Sequence, residues 1–294
     1  MTPAYPTPAS PEPCSSPLTL FVHVPKTAGT TFNSLLSYQY GHRRSLWVPW
    51  QDTDIAHHWR RMTAAQRHRL RLIRGHFPYG GHPSLQRPVR YVSMLRHPVD
   101  RVVSLYYYLL DEPDCADARA ARAAKSVEAF VAGMQTHHVS NDQVRLLSGA
   151  PSRAGLVTAD HLATAKRHVD EDFVCVGITE RFPETVLLMA ERLQWQRPLF
   201  YLSSKRNHRR PQVSELAPHV RRVIERYNEY DLELYEHVSR RFDLLLQDRA
   251  EDFAVAKSRL QRRNRIAELA LPVPLWTLRR LRQSFTTPFV QGAS

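Results

Sequence analysis

Short apolar runs, each followed by apolar residues at helical spacing, recur along this chain. The first run is 19–24, TLFVHV, and it leads into 30–37, where Phe32, Leu35 and Leu36 are spaced as on one face of a helix. The same pattern predicts two further strand-and-helix units, at 90–95 with 99–110 and at 173–178 with 183–193. Strands that alternate with helices are typical of a parallel sheet covered on both faces, so the pattern predicts an α/β fold.

Other segments have helical spacing without a preceding strand. A stretch rich in alanine and arginine predicts a helix over 118–133, and Asp160 is placed to cap a helix over 161–168. From 220 to 246 the apolar residues step by three or four positions, which predicts one long amphipathic helix.

The two ends of the chain differ in composition from the middle. Residues 1–17 contain six prolines and a single charge, so we expect a disordered, proline-rich leader. Residues 18–247 hold all the predicted strands and are expected to form one domain. Residues 248–294 are predicted to be a basic, partly helical tail outside that domain, since 249–282 holds nine Lys and Arg against three Asp and Glu.

Composition narrows the class of protein. The chain has 294 residues, of which 43% are hydrophobic and 10% aromatic, enough to form a core, which argues against a disordered or fibrous protein. A formal net charge of +13 favours anionic partners, such as nucleotides, sulfated or phosphorylated substrates, nucleic acid or anionic lipid.

Cysteine usage and hydropathy bear on the cellular compartment. Cys14, Cys115 and Cys175 are far apart and form no CxxC pair, which argues against a disulfide framework or a structural zinc site. No apolar run approaches the roughly 20 residues of a membrane-spanning helix, and the N-terminus lacks the pattern of a signal peptide. We therefore expect a soluble, cytoplasmic protein, in contact at most with the periphery of a membrane.

The first candidate site is the segment 25–31, PKTAGTT, where the opening strand ends and its helix begins. Main-chain N–H groups and the helix dipole converge there, which favours a phosphate or sulfate. Gly29 would let the backbone approach the anion, and Lys26 would supply a positive charge. The segment is not a Walker A loop, because its lysine precedes its only glycine. An ordinary turn with a threonine cap remains the alternative.

The second candidate site is 96–108, RHPVDRVVSLYYY, at the end of another predicted strand. Arg96 would emerge at the carboxyl edge of the sheet, with Ser104 about two helical turns further on. Together they could bind a second anionic group. The alternative makes Arg96 a surface charge, and we interpret the tyrosines 106–108 as packing residues.

These two segments, in this order and about 70 residues apart, resemble the sulfotransferase superfamily, and in particular the heparan-sulfate 2-O-sulfotransferase branch with its soluble bacterial relatives. Similar segments at 141–149, 173–182 and 230–235 extend the resemblance over about residues 18–246. It implies a P-loop-NTPase-like three-layer sandwich with a central parallel sheet. It also implies 3'-phosphoadenosine 5'-phosphosulfate (PAPS) as the sulfuryl donor.

The resemblance also assigns roles to residues by position. The loop that would hold the 5'-phosphosulfate comprises Lys26, Thr27, Ala28, Gly29, Thr30 and Thr31, and the 3'-phosphate would be bound by Arg96 and Ser104. A basic loop further on, with Lys205 and Asn207, would close over the donor or over an acidic acceptor, although a solvated loop is the alternative. Asn141, Gln143 and Arg145 could line the acceptor side.

Transfer to a hydroxyl group calls for a base of near-neutral pKa, which suits histidine. His76 follows a short strand-like run and precedes a glycine-rich turn, and in the resembling family a Gly-His here carries the base. There the glycine is commonly preceded by another histidine, whereas this chain has Arg74, so a paired-histidine mechanism is left open. His23 and His97 are the next candidates, which we interpret as a buried strand residue and a helix cap.

The resemblance therefore predicts transfer of a sulfuryl group from PAPS to a hydroxyl group of a carbohydrate acceptor, with Lys26 at the leaving oxygen and no metal. The doublets His57-His58 and His137-His138 lack the spacing of a zinc site. One alternative is a non-enzymatic binder of nucleic acid or anionic membrane, although no nucleic-acid module is recognisable and the basic tail could itself bind an anionic surface. Another alternative is a small-molecule kinase, but the sequence lacks the Walker A loop that such an enzyme needs.

Overall fold

The computed structural model describes residues 16–113, 115–134, 136–150, 157–202, 210–247 and 249–270. Within these ranges the strands are β1 Leu18–Val22, β2 Ser45–Val48, β3 Leu72–Gly75, β4 Val89–Leu95 and β5 Phe173–Ile178. The helices are α1 Gly29–Tyr40, α2 Ile55–Arg60, α3 Ala64–Arg69, α4 Pro98–Asp111, α5 Ala116–Ala124, α6 Val127–Ala132, α7 Asp142–Ser148, α8 Ala159–Glu171, α9 Phe182–Arg192, α10 Pro218–Tyr227, α11 Glu229–Gln247 and α12 Ala250–Ala270.

All five strands are parallel and lie in the order β2-β3-β1-β4-β5. β1 is central and every one of its residues is buried, which explains why its sequence is apolar without alternation. Because the strands are parallel, the loops that follow β1, β3 and β4 leave the sheet at the same edge. Those are the loops that carry the predicted donor and base residues.

Helices cover both faces of the sheet. On one face Phe32 of α1 packs edge-on against Phe21 of β1, with ring centroids 4.9 Å apart. On the other face His168 of α8 stacks on Tyr79 at 3.7 Å, and Tyr79 in turn contacts Tyr91 of β4 at 4.7 Å. The predicted α/β class, with a central parallel sheet between two helical layers, is confirmed.

The predicted helix over 220–246 is wrong in one respect, because two helices, α10 and α11, meet at Asn228. The Asn228 side chain is buried and donates to the main-chain oxygens of Val139, at 2.9 Å, and Ile224, at 3.0 Å, while its own oxygen accepts from Asn141 N at 3.1 Å. These bonds tie the junction to the segment before α7. The apolar spacing runs unbroken across it, so the pattern alone does not reveal the break.

The stretch predicted as one helix over 118–133 likewise forms α5 and α6. Lys125 between them has φ 60°, a left-handed conformation that ends α5. Ser126 then caps α6 by accepting a hydrogen bond from Ala129 N at 3.1 Å.

Helix α12 packs on the domain, which differs from the expectation that the chain after Gln247 lies outside it. Phe253 and Leu260 are buried in the main hydrophobic cluster, and Arg249 makes two hydrogen bonds to Glu191 of α9 at 2.8 and 2.7 Å. None of the helices in the described ranges is long and apolar enough to cross a bilayer.

Candidate functional site

The loop between β1 and α1 has a tightly constrained backbone. Lys26 and Ala28 have φ values of 70° and 59°, a left-handed conformation that costs free energy in residues other than glycine. A Cβ atom on Gly29 would lie 1.7 Å from Nε2 of His23, so only glycine fits beside that ring. The loop is therefore drawn close against the end of β1.

The N-terminus of α1 presents main-chain donors at this loop. The first hydrogen bond of the helix joins Phe32 N to Ala28 O, so the N–H groups of residues 29–31 lie before its ladder begins. Thr30 is exposed and Thr31 is half-buried. Thr27 is fully buried and its hydroxyl donates to Val24 O at 2.8 Å, so this side chain stabilises the loop itself.

Arg96, at the end of β4, is bound to the same loop. Its Nη1 donates to Lys26 O at 3.2 Å, and its Nη2 donates to Asp100 of α4 at 3.2 Å. Arg210 also bonds the carboxylate of Asp100, at 3.1 Å. Two guanidinium groups therefore share one carboxylate, which leaves this corner with net positive charge.

Helix α4 aligns the remaining predicted donor residues. Asp100, Ser104 and Tyr108 are four residues apart and lie on one face of the helix. Nζ of Lys26 lies 3.5 Å from the centre of the Tyr108 ring, a cation–π contact. Since Lys26 contacts one end of this face and Arg96 the other, Ser104 lies between the two contacts.

Gln143 fixes the main chain of Arg96. Its side-chain oxygen accepts from Arg96 N and its side-chain nitrogen donates to Arg96 O, both at 3.0 Å. Gln143 is fully buried, as Asn141 and Arg145 nearly are, so the expectation that these three side chains line an acceptor surface is wrong. They instead connect α7 to the end of β4 and to α11.

A buried ionic network lies next to the contact between Gln143 and Arg96. It consists of Arg101 of α4, Asp142 and Arg145 of α7, and Asp231 of α11, all at most 4% exposed. Burial would raise the pKa of Asp142, but Arg145 and His138 outweigh it and hold that pKa well below its usual value. Burial raises the pKa of Asp231 to about 6, against the opposing charge of Arg101.

His76 directly follows β3, next to the end of β1. Its Nδ1 donates to His23 O at 3.0 Å, and its ring stacks on that of His23 at 4.3 Å and meets Trp47 edge-on at 5.8 Å. A carbonyl oxygen can only accept, so Nδ1 carries the proton and the lone pair is on Nε2. Burial, and then the nearby His138, lower the pKa of His76 to about 4, so the ring is neutral at pH 7.

The neighbours of His76 have structural roles. Burial lowers the pKa of His23 well below its usual value, and the ring fills the space beside Gly29. Arg74 is only 3% exposed and donates to Asn33 O of α1 at 2.6 Å, so it braces that helix. His97 occupies the N-cap position of α4, as interpreted, although its side chain makes no capping hydrogen bond and its ring packs against Tyr235.

A second histidine cluster adjoins α7. His137, His138 and Asp142 bring ligand-type atoms within 4.8 Å of one another, an arrangement that the sequence spacing did not indicate. The guanidinium groups of Arg101 and Arg145 already lie against Asp142, and their charge opposes binding of a further cation there.

Trp50 is a feature that the sequence interpretation missed. It lies two residues beyond β2 in a turn closed by a hydrogen bond from Asp52 N to Pro49 O, and it is 68% exposed. Val48 at the end of β2 pairs with Gly75, the residue before His76, so the segments that follow β2 and β3 leave the sheet side by side. The available signal was a tryptophan directly after a short apolar run, in a polar turn.

The predicted residues thus meet at one edge of the sheet. Lys26 contacts Arg96 and Tyr108 of α4, Gly29 lies against the His23 ring, and His76 bonds His23 O at the same end of β1. Lys205 and Asn207 lie outside the described residues, as do residues 1–15 and 271–294.

Comparison with known proteins gives consistent matches. A family model described as galactose-3-O-sulfotransferase matches residues 1–271. Galactose-3-O-sulfotransferase 2 of Mus musculus is 24% identical over 253 residues, which cover 76% of this chain and 61% of that protein. Galactose-3-O-sulfotransferase 3 of Homo sapiens is 24% identical over 272 residues, covering 83% and 62%. The chain therefore spans about three-fifths of the length of these relatives.

A solved structure is also similar in part. The crystal structure of mouse sulfotransferase SULT7A1 complexed with PAP matches with a TM-score of 0.36 and 16% identity, over 62% of this chain and 59% of that one. The sequence matches carry the name of galactose-3-O-sulfotransferases, whereas the motifs suggested the heparan-sulfate 2-O branch. Sulfotransferase kinship is confirmed, and the branch and the bacterial type stay predictions.

Proposed function

The chain belongs to the galactose-3-O-sulfotransferase family, and we propose that it transfers a sulfuryl group from PAPS to a hydroxyl group of a carbohydrate acceptor. The observation that carries the proposal is the joining of the Lys26 loop to Arg96 at one edge of the parallel sheet. A donor with charged groups at both ends of a nucleoside needs two anion sites that are held at a fixed separation.

The residues present fit such a donor. The N–H groups at the start of α1, together with Lys26, would form a cradle for one anionic group, and Gly29 lets the start of α1 lie against the His23 ring, where any side chain would clash. Arg96 and Arg210 supply positive charge for the other group beside Ser104.

PAPS, when bound, supplies an activated sulfuryl group whose bridging S–O bond breaks as the acceptor oxygen bonds to sulfur. Lys26 would stabilise the negative charge that builds on the leaving phosphate oxygen, an effect typically worth about 3 kcal/mol, or roughly 10²-fold and more in rate. Nε2 of His76 would accept the acceptor's proton, since the tautomer set by His23 O leaves the lone pair on that nitrogen.

Trp50 supports a carbohydrate as the acceptor. It projects from a turn beside the strand end that carries His76, and it is 68% exposed. An exposed indole offers a flat apolar face to the C–H face of a sugar ring and a polar N–H to its hydroxyl groups.

The test combines donor binding with transfer. Purified protein should bind 3'-phosphoadenosine 5'-phosphate and move label from labelled PAPS to a galactose-terminated oligosaccharide. Lys26→Ala should abolish transfer while its circular dichroism spectrum and melting temperature stay those of the wild type. The control is Lys166→Ala, on the outer surface of α8, which should transfer normally. Normal turnover by Lys26→Ala, or failure of the wild type to bind the nucleotide, would refute the proposal.

A non-enzymatic nucleic-acid binder makes the opposite prediction. Its affinity for nucleic acid would not change in Lys26→Ala and would fall steeply as the salt concentration rises. A gel-shift series across salt, run on both proteins, separates the two functions.

A further inference from the structure

Helix α12 has two different faces. On its inner face Phe253 and Leu260 are buried in the main hydrophobic cluster, and the side-chain oxygen of Asn264 accepts a hydrogen bond from Tyr201 N at 2.9 Å. These contacts fix α12 on the domain. Its opposite face is therefore held toward solvent.

The outer face of α12 carries exposed apolar side chains. Val255 is 52% exposed, Ile266 56% and Leu269 85%. Positions 255, 259, 262, 266 and 269 are spaced by four and three residues in turn, so they form one stripe along the helix. At 1.5 Å per residue the stripe is about 21 Å long. Apolar side chains grouped along an exposed stripe are typical of a contact surface.

Arginines occupy the same face. Arg259 and Arg262 lie within the stripe, Arg263 and Arg265 flank it, and all four are exposed. The sequence has no Asp or Glu between positions 253 and 267. The outer face therefore combines apolar side chains with a concentrated positive charge.

The cations on the inner side of α12 are already paired. Lys257 binds Glu184 of α9 at 3.0 Å, and Arg249, just before α12, binds Glu191 of the same helix at 2.7 Å. The four outer arginines have no such carboxylate partner in the part of the chain that the structure describes. Their charge is available to an external anion.

The mixture of apolar and cationic side chains decides between partners. Nucleic acid offers phosphate groups to arginine, but phosphate contacts leave the aliphatic side chains in water. A second copy of this chain would bring two arginine-rich faces together, and like charges repel. A surface of anionic phospholipid suits both kinds of side chain, because guanidinium groups bind lipid phosphates while aliphatic groups enter the boundary of the acyl chains.

The sequence keeps this composition after α12. Residues 271–294 contain Arg279, Arg280 and Arg282, no Asp or Glu, and a tryptophan at position 276. Tryptophan is enriched at membrane interfaces, and further arginines add to the attraction of an anionic surface. Because this segment is itself cationic, it does not complement the arginines of α12.

We propose that the outer face of α12 binds the surface of an anionic phospholipid membrane. In this arrangement α12 lies parallel to the membrane plane, its apolar stripe enters the acyl-chain boundary, and its four outer arginines bind lipid phosphates. The proposal goes beyond sulfuryl transfer and does not depend on it, because none of these side chains belongs to the proposed donor site.

The test is sedimentation of the full chain with vesicles of phosphatidylcholine, with and without phosphatidylserine. We expect binding only where phosphatidylserine is present, with an affinity that falls as the salt concentration rises. The variant Arg259→Gln, Arg262→Gln should bind about 10- to 30-fold more weakly, since each arginine near such a surface contributes about fivefold. The matched control Arg222→Gln, Arg226→Gln removes two exposed charges from α10 and should stay within about twofold of the wild type.

A second variant tests the apolar part of the surface. Ile266→Ser, Leu269→Ser keeps the net charge and should bind the vesicles about tenfold more weakly, with an unchanged affinity for duplex DNA. Every variant should keep the melting temperature of the wild type, because all the replaced side chains are exposed.

Four results would overturn the proposal. The wild type does not bind vesicles that contain phosphatidylserine, or the α10 control loses as much affinity as the arginine variant. Both α12 variants bind vesicles normally, which would place the contact on another surface or in residues 271–294. In the fourth, sedimentation velocity shows a dimer that Ile266→Ser, Leu269→Ser dissociates, or DNA binding falls with the arginines while the serine variant keeps full vesicle affinity. These last outcomes would assign the face to a second copy or to nucleic acid.

Discussion

Nη1 of Arg96 donates a hydrogen bond of 3.2 Å to the main-chain oxygen of Lys26. This bond joins two loops that are 70 residues apart in sequence and follow neighbouring strands, β4 and β1. Gln143 holds the main chain of Arg96 from the other side. The separation of the two basic segments is therefore set by the sheet and by α7.

Replacing Arg96 should weaken nucleotide binding and loosen the loop. Arg96→Ala removes a charge from the proposed donor site and a hydrogen bond to Lys26 O, so we expect the affinity for 3'-phosphoadenosine 5'-phosphate to fall by about 10- to 100-fold. Titration calorimetry measures the loss. Arg240→Ala, an exposed arginine of α11, is the control and should bind normally. Equal affinities in the two variants would show that Arg96 does not contribute to the donor site.

A methyl group at position 29 should disturb the loop directly. The Cβ of Gly29→Ala would lie 1.7 Å from Nε2 of His23, so the ring or α1 must move, at a cost of about 1 to 3 kcal/mol in the free energy of unfolding. Urea unfolding measures that cost. The double variant His23→Ala, Gly29→Ala should lose less than the sum of the single losses, because the clashing ring is gone. Additive losses would contradict the steric explanation.

Replacing Trp50 should weaken acceptor binding and leave donor binding unchanged. Trp50→Ala removes an exposed ring that few protein contacts restrain, so the melting temperature should stay unchanged while KM for a galactose-terminated oligosaccharide rises by about tenfold. The affinity for the nucleotide should not change. Leu244→Ala, an exposed apolar residue on α11, is the control. A KM equal to that of the wild type would exclude Trp50 from acceptor binding.

Stability should fall as the pH is lowered below neutral. The folded-state pKa of His76 is lowered to about 4 by burial, and that of His137 likewise to about 4, from 6.5. Between these pH values the unfolded chain binds protons that the folded chain does not, so the free energy of unfolding decreases by up to about 1.4 kcal/mol per pH unit for each group. Asp231 acts in the opposite sense, because its pKa is raised to about 6 in the folded state. Its protonated form stabilises the fold at low pH, and that stabilisation is lost as the pH rises through 6.

Urea unfolding at several pH values between 7 and 4 checks this dependence. His76→Asn should make the slope shallower, since the group that resists protonation is gone. A variant whose stability falls with pH as steeply as that of the wild type would show that His76 is not protected from protonation in the fold.

Much of the fold follows from local pattern. β5 was predicted at its observed bounds, and β1, β4 and α4 within two residues at most of their ends, because their apolar runs are continuous and α4 has a clear start. The predicted start of α1 was one residue late and its predicted end three residues early. β2, a strand of four residues, was missed since so short a run carries no period. The break at Asn228 was also missed, because the contacts that bend the chain there come from residues 139–141.

The candidate site was likewise predicted only in part from the sequence. The sequence by itself placed the loop 25–31, Arg96 and His76 after predicted strands and predicted their chemistry, because residue type and position after a strand can be read locally. Only the tertiary structure decided that Gln143 is buried behind Arg96, that Arg74 braces α1, and that His138 is paired with Asp142. The physical reason is that these roles depend on which side chains share a buried space, and the sheet brings together segments that the sequence keeps far apart.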